Sequence, residues 1–247
     1  FRLTKRLKEG SRFGSGEFQG SYTWSHSIDD AGDPLVTQAG ERSLPRDSSG
    51  YAGGLRAERG NSSFDVRNAF VGNMVYEFPF KFENKFLKTA FSNWTLSGIW
   101  TVTSGRAYSV FSNTDSQGTG LSARADYVGA GKGLTPSTLA PNPRVQTGPT
   151  RDMFNNPLPV GGIGRQGTTG RGAFYGPGYN QVDFSVIKRF TFGPDGRFKF
   201  TARSDFFNIF NTVNFGQPVN TINSSNFGRS TATYNPRIIQ FAGRFDF

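Results

Sequence analysis

The sequence predicts an all-β chain, an antiparallel up-and-down segment of a transmembrane β-barrel with about seven strands. Three observations predict it. Apolar and polar residues alternate with period two in segment after segment. The connections between these segments alternate short and long. No run of about 18 apolar residues offers a transmembrane helix, although aromatics reach 15% of the chain and 26 residues are Phe.

The strands are read as Arg2 to Lys8, Gly16 to His26, Phe64 to Phe78, Asn93 to Phe111, Tyr179 to Phe192, Arg197 to Phe215 and Pro236 to Phe247. The first alternates from Phe1 through Leu3 to Leu7. In the second, Phe18, Gly20, Tyr22 and Trp24 alternate with Glu17, Gln19, Ser21 and Thr23. In the fourth, Trp94, Leu96, Gly98, Trp100 and Val102 alternate with Thr95, Ser97, Thr101 and Thr103, with Ile99 as the exception. The fifth sets Val182, Phe184 and Val186 against Gln181, Asp183 and Ser185. The sixth sets Phe198, Phe200 and Ala202 against Lys199, Thr201 and Arg203. The last carries Ile239, Phe241, Phe245 and Phe247. Such alternation puts one set on each face of a strand. No stretch shows a convincing helical period, so helix is expected only as short turns.

Short connections fall at Glu9 to Ser15 and at Gly193-Pro194-Asp195-Gly196, a strong turn signature. A moderate one spans Pro79 to Ser92. Long ones span Ser27 to Ser63, Ser112 to Gly178 and Gly216 to Asn235. Up-and-down strands then put the short turns at one end and the long loops at the other, as in outer-membrane barrels. Trp94, Trp100, Phe184, Phe190, Phe198 and Phe200 are expected to face lipid, with Asp183, Arg203 and Thr101 on an aqueous interior. Across the Gly193–Gly196 turn, Phe192 should pair with Phe198, Phe190 with Phe200, and Ser185 with Asp205. A soluble β-sandwich is the competing fold, and it would bury the aromatic face under a second layer.

Lys+Arg total 28 against Asp+Glu 18, a net charge of +10. The basic residues are scattered singly rather than blocked, so nucleic acid is not an expected partner. Absence of Cys excludes disulfides and thiolate metal sites, and His26 is the single histidine, so no multi-histidine site can form. No metal, cofactor or catalytic residue is expected. The first residues lack a signal-peptide pattern and read as mid-protein sequence.

Two stretches carry a family resemblance. Gly178-Tyr179-Asn180-Gln181-Val182-Asp183-Phe184-Ser185, followed by Ala202-Arg203-Ser204-Asp205-Phe206-Phe207-Asn208-Ile209-Phe210-Asn211, resembles the last strands of TonB-dependent outer-membrane receptors. Asp205 stands where many relatives have Glu. The terminal Phe241, Phe245 and Phe247 resemble the assembly signal of outer-membrane barrels. Ser21 to Asp30, with Asp65-Val66-Arg67-Asn68, resembles the Oar-like branch, whose members carry a carboxypeptidase-regulatory-like domain. The resemblance implies the last third of a 22-stranded plugged barrel, with the plug and the TonB-contacting box outside this chain. It further implies import of a bulky nutrient, and outer-membrane lipid, the barrel assembly machinery, the TonB complex and a ligand as partners. A passive porin or an adhesin-like structural barrel is the alternative.

The loop Ser112 to Gly178 holds 7 of the 13 Pro and 14 of the 32 Gly, with net charge +3. Loops this long are functional or disordered. Its Arg124, Tyr127, Arg144, Arg151, Arg165, Arg171 and Tyr175 are the candidate ligand contacts. Gly162-Ile163-Gly164-Arg165-Gln166-Gly167 matches a dinucleotide fingerprint in spelling, but no strand precedes it and no helix follows, so it reads as loop. Gly129-Ala130-Gly131-Lys132-Gly133 lacks the hydroxyl residue a phosphate loop needs after Lys132. Asp29, Asp30 and Asp33 read as a solvated turn, and His26 as a strand end.

Overall fold

The computed structural model describes residues 1–7, 14–30, 59–80, 82–115, 122–129, 149–158, 164–193 and 196–247. Seven strands form one sheet: β1 (Arg2–Leu7), β2 (Ser15–Trp24), β3 (Asn68–Glu77), β4 (Trp94–Thr103), β5 (Tyr179–Phe192), β6 (Phe198–Phe207) and β7 (Ile238–Asp246). Their spatial order is their chain order, and every neighbouring pair is antiparallel. This is the up-and-down arrangement that the loop lengths require. Strands β2, β3, β4 and β6 each have 10 residues, the length a tilted strand needs to cross a bilayer.

The register confirms the predicted hairpin. Phe192 pairs with Phe198, Phe190 with Phe200, and Ser185 with Asp205. Carried across the sheet, the pairing fixes two faces. One holds Phe18, Tyr22, Phe70, Met74, Leu96, Trp100, Val182, Phe184, Phe200, Phe206 and Phe245. The other holds Glu17, Gln19, Asn73, Ser97, Thr101, Asp183, Ser185, Arg203, Asp205 and Arg244, interrupted by Val71, Val75, Ile99, Ile187, Phe207 and Ile238. No second layer covers the aromatic face among the described residues: Trp100 is 47% exposed and Phe245 51%. That removes the sandwich alternative for these strands.

Glycines on the aromatic face let rings lie flat on the sheet. The Phe70 ring lies over Gly72 and Gly20, Phe184 over Gly98, and Phe200 over Gly243, each so close that a Cβ there would touch the ring. At the short-turn end, Phe190 stacks with Phe200 (6.1 Å between ring centres), and Phe192, Phe198, Phe245 and Phe247 form one cluster.

Several strands stop earlier than their alternation suggests. The sixth ends at Phe207, not Phe215, because Asn208 and Asn211 both take φ of +53°. Asn tolerates this left-handed conformation better than other non-glycine residues. Asn208 is buried; its amide donates to the Thr212 and Asn235 carbonyls, and its Oδ1 accepts from the Thr212 N–H. The Asn211 Oδ1 accepts from the Arg237 N–H, which delivers the chain to β7. The Asn-Ile-Phe-Asn stretch is therefore a strand stop. The fourth strand ends at Thr103 rather than Phe111, and the third begins at Asn68 rather than Phe64. The second spans Ser15–Trp24 and stops short of His26. Among the described residues one α-helix, α1 (Lys85–Phe91), lies in the connection from β3 to β4. The sequence signal for it was the cap: the Asn84 side chain accepts from the Phe86 and Leu87 N–H groups. Pro194 and Asp195 of the short turn lie outside the described residues, but Gly193 and Gly196 have φ of +84° and +71°, which fits the turn signature.

Candidate functional site: the loop cap

The described apolar core is not on the sheet. It lies among the long loops and consists of Tyr108, Val110, Ala125, Phe154, Phe174 and Ile222. A sheet with one face toward lipid and one toward water has no dry side of its own. Loops in water order only by burying apolar surface. Phe154 is 1% exposed and meets Phe174 and Phe227 edge-on at 5.6 and 5.5 Å. Two-residue ladders bring core residues together: Ala107–Tyr108 pairs with Phe174–Tyr175, and Asp126–Tyr127 with Phe154–Asn155. The third long connection joins at Phe111, whose N–H donates to the Asn220 carbonyl while its own carbonyl accepts from the Ile222 N–H.

The first long connection is tied in by charge. Asp65 is 1% exposed. Its carboxylate accepts from the Ser27 N–H (2.7 Å), Arg67 Nε (2.8 Å) and the Tyr175 hydroxyl (3.0 Å). Burial pushes this carboxyl up, yet those three donors and the Arg67 charge together hold it below the ordinary value. Burial likewise pushes the Tyr175 hydroxyl up. Arg171 pairs with Asp29 and also donates to the Asp29 carbonyl at 2.9 Å. Gly105 allows the cap to close on the sheet: a Cβ there would lie 1.7 Å from the Gly176 carbonyl oxygen.

The structure thus places the candidate ligand contacts as follows. Arg124 is buried, with its Nε donating to the Thr169 carbonyl at 3.1 Å. Arg165 grips Asp126 with two bonds of 2.8 and 2.6 Å, which lowers the Asp126 carboxyl. Arg171 and Tyr175 make the contacts just described. Tyr127 stands edge-on to Phe154 at 5.8 Å. These five are brought together as cap structure. Arg151 differs: it donates to the Phe154 carbonyl and lines an open recess of about 660 Å³ with Thr150, Asn223, Ser224, Phe227 and Arg229. Arg229 was not singled out in the sequence; it comes from another loop, and no spacing signal could have found it. Arg144, Asp33, Lys132 and Gly162 lie outside the described residues. His26 bonds Asn61 Oδ1 at 2.8 Å beside the cap. Gly167, from the fingerprint-like stretch, donates its N–H to the Arg124 carbonyl as part of a loop.

On the polar face the strands carry their own network. Asp183 accepts from the Gln181 amide and from the Asn208 N–H, while Ser185 and Arg203 both donate to Asp205. At the short-turn end the same face opens a recess of about 700 Å³ lined by Glu77, Arg189, Lys199, Arg244 and Asp246.

Sheet, faces and loops agree with the comparison to known families, in which an outer membrane beta barrel domain matches residues 1–240. The chain belongs to that family. It is a β-barrel domain of the bacterial outer membrane, and its environment is outer-membrane lipid. Neither curated proteins nor solved structures provide a match.

Proposed function

We propose that this barrel domain is the C-terminal portion of a TonB-dependent transporter of the Oar-like branch, acting in nutrient import and not in catalysis. The aromatic face is then the lipid face, bearing Trp94, Trp100, Phe184, Phe190, Phe198 and Phe200, and the long-loop end is extracellular. Phe241, Phe245 and Phe247 serve recognition by the barrel assembly machinery. Energy comes from the TonB complex through a plug carried elsewhere in the protein.

The observation that carries the proposal is the cap. Three connections separated widely in sequence lock into one body with a dry core. A passive pore needs no such body over its mouth. Ligand capture is assigned to the recess of Arg151 and Arg229, whose guanidinium groups and neighbouring hydroxyls and amides suit a polar or anionic ligand.

Planar-bilayer recordings of the whole protein test this without knowledge of the ligand. A plugged transporter gives no stable ion conductance until denaturant displaces the plug. Large open steps in plain salt solution would instead establish a porin and sink the transporter reading. Deleting Asn113 to Gly176 from the whole protein without loss of uptake would remove the cap from the mechanism.

A further inference from the structure

The connection from β3 to β4 carries apolar side chains that nothing among the described residues covers. Phe86 is 77% exposed and Phe91 51%; Phe80, Phe82 and Leu87 are exposed as well. On α1, the positions of Phe86, Leu87, Ala90 and Phe91 fall within one arc of about 140°, from a turn of 100° per residue. Lys88 and Thr89 lie in the remaining arc. A seven-residue helix gains little stability in water, and displaying such a face there opposes it further.

This face is continuous with the aromatic face of the sheet. Tyr76 belongs to that face through its pairing with Leu96 and Gly16. From it, ring follows ring: Tyr76 to Phe78 at 5.1 Å, Phe78 to Phe80 at 5.3 Å, Phe80 to Phe82 at 6.3 Å, and Phe82 to Phe91 at 6.0 Å. The helix end is pinned to the same face. The Trp94 indole donates to the Ala90 carbonyl at 2.9 Å. The Lys188 ammonium donates to the Ser92 carbonyl and lies over the Trp94 and Phe190 rings at 5.2 and 5.3 Å. Lys188 is buried, 4% exposed, on the aromatic face, where it pairs with Trp94, the first residue of β4. The sequence of the connection from Phe80 to Phe91 contains Lys81, Lys85 and Lys88 against Glu83 alone.

We infer that α1 is an interfacial anchor: it lies in the headgroup layer of the leaflet at the short-turn end, with Phe86, Leu87 and Phe91 in the upper acyl region and Lys88 toward anionic phospholipid headgroups. The occupant is a phospholipid surface because the helix face extends a lipid-facing belt at the belt's own edge, and because the connection is net basic. A flat amphipathic helix of this composition is the form that such surfaces bind, and basic side chains near an anionic surface add to the attraction. The inference rests on the aromatic face being the lipid face.

The chain has no Cys, so single-cysteine spin labels placed in it, in a whole protein from which any other Cys has been removed, report one position each. Labels go at Phe86, Leu87, Lys88, Thr89 and, as reference, Phe184, in vesicles of phosphatidylethanolamine with phosphatidylglycerol. The readout is collision with oxygen against collision with a water-soluble nickel chelate. Labels at 86 and 87 should favour oxygen several-fold over labels at 88 and 89, at a depth shallower than 184. Replacing the anionic lipid by phosphatidylcholine should move 86 toward water. If 184 is embedded but 86 matches 88, the helix stands in water and the inference fails while the lipid-face reading survives. If 86 is shielded from both reagents, protein covers it and the inference fails as well. A depth at 86 indifferent to phosphatidylglycerol overturns the headgroup assignment. If 184 is itself exposed to nickel, the lipid-face reading is the one that has failed.

Discussion

Arginine at position 184 discriminates the two faces most directly. Phe184 pairs with Gly98 near the middle of β4 and lies in the row of Met74 and Phe18. That row is at mid-height, where an arginine against lipid costs about 2–4 kcal/mol, whereas near the interfaces it costs about 0–1 kcal/mol. Ser97 is at the same height, one residue along β4, and points to the opposite face. Phe184→Arg should therefore lower the folding equilibrium constant by about 30- to 900-fold, since 1.36 kcal/mol is one decade. Ser97→Arg should stay within about 1 kcal/mol of the parent, the scale of a surface substitution. Equilibrium unfolding of the whole protein by guanidinium in phospholipid vesicles measures both. Equal losses, or a larger loss for Ser97→Arg, would refute the assignment of faces, because the polar side would then be the dry one.

Asn208→Ala removes three hydrogen bonds at a buried site and puts a residue that tolerates the left-handed conformation less well than Asn at φ +53°, so it should cost about 3 kcal/mol; Asn208→Gly relieves the backbone part and should lose less in the same unfolding titration. Gly105→Ala should push the cap off the sheet without unfolding the barrel, read as rapid protease cleavage in the long loops of a protein that keeps its β-sheet circular dichroism. Phe154→Ala should cost the cap about 3–5 kcal/mol, the usual range for a core phenylalanine, again read by loop proteolysis. Asp126 and Asp65 have folded values below the ordinary 3.8. Their stabilisation is complete above that value and is lost as pH falls through the lower folded one. The Thr168 N–H donates to Asp126 Oδ1 at 3.0 Å, so its hydrogen exchange, corrected for intrinsic rate, should accelerate below about pH 4, and Asp126→Asn should abolish part of that dependence.

The strands were legible because a period of two survives wherever each face meets one solvent. Register across Gly193–Gly196 followed from matching Phe190 to Phe200, since a one-residue slip would put rings in water. Strand ends were not legible. Alternation continues through Phe206, Asn208 and Phe210, and only the left-handed Asn208 shows that the ladder has stopped. The cap was invisible for a different reason. Val110, Ala125, Phe154, Phe174 and Ile222 follow no period, because irregular backbone presents side chains one at a time. The arginines of the long loop looked like ligand contacts because their acidic partners lie far off: Asp29 is 142 residues from Arg171, and Asp126 is 39 from Arg165. Charge counting along a loop cannot see such pairs.

The cap's core also constrains how the protein is built. Its residues arrive from either side of β5 and from beyond β6, with Ile222 the last to be supplied. No earlier subset can seal it. While the strands are being threaded into the bilayer, the outer segments must therefore emerge unfolded and wait. Once the stretch around Ile222 has been supplied, the knot of rings can close. The last long connection therefore completes what the earlier ones began.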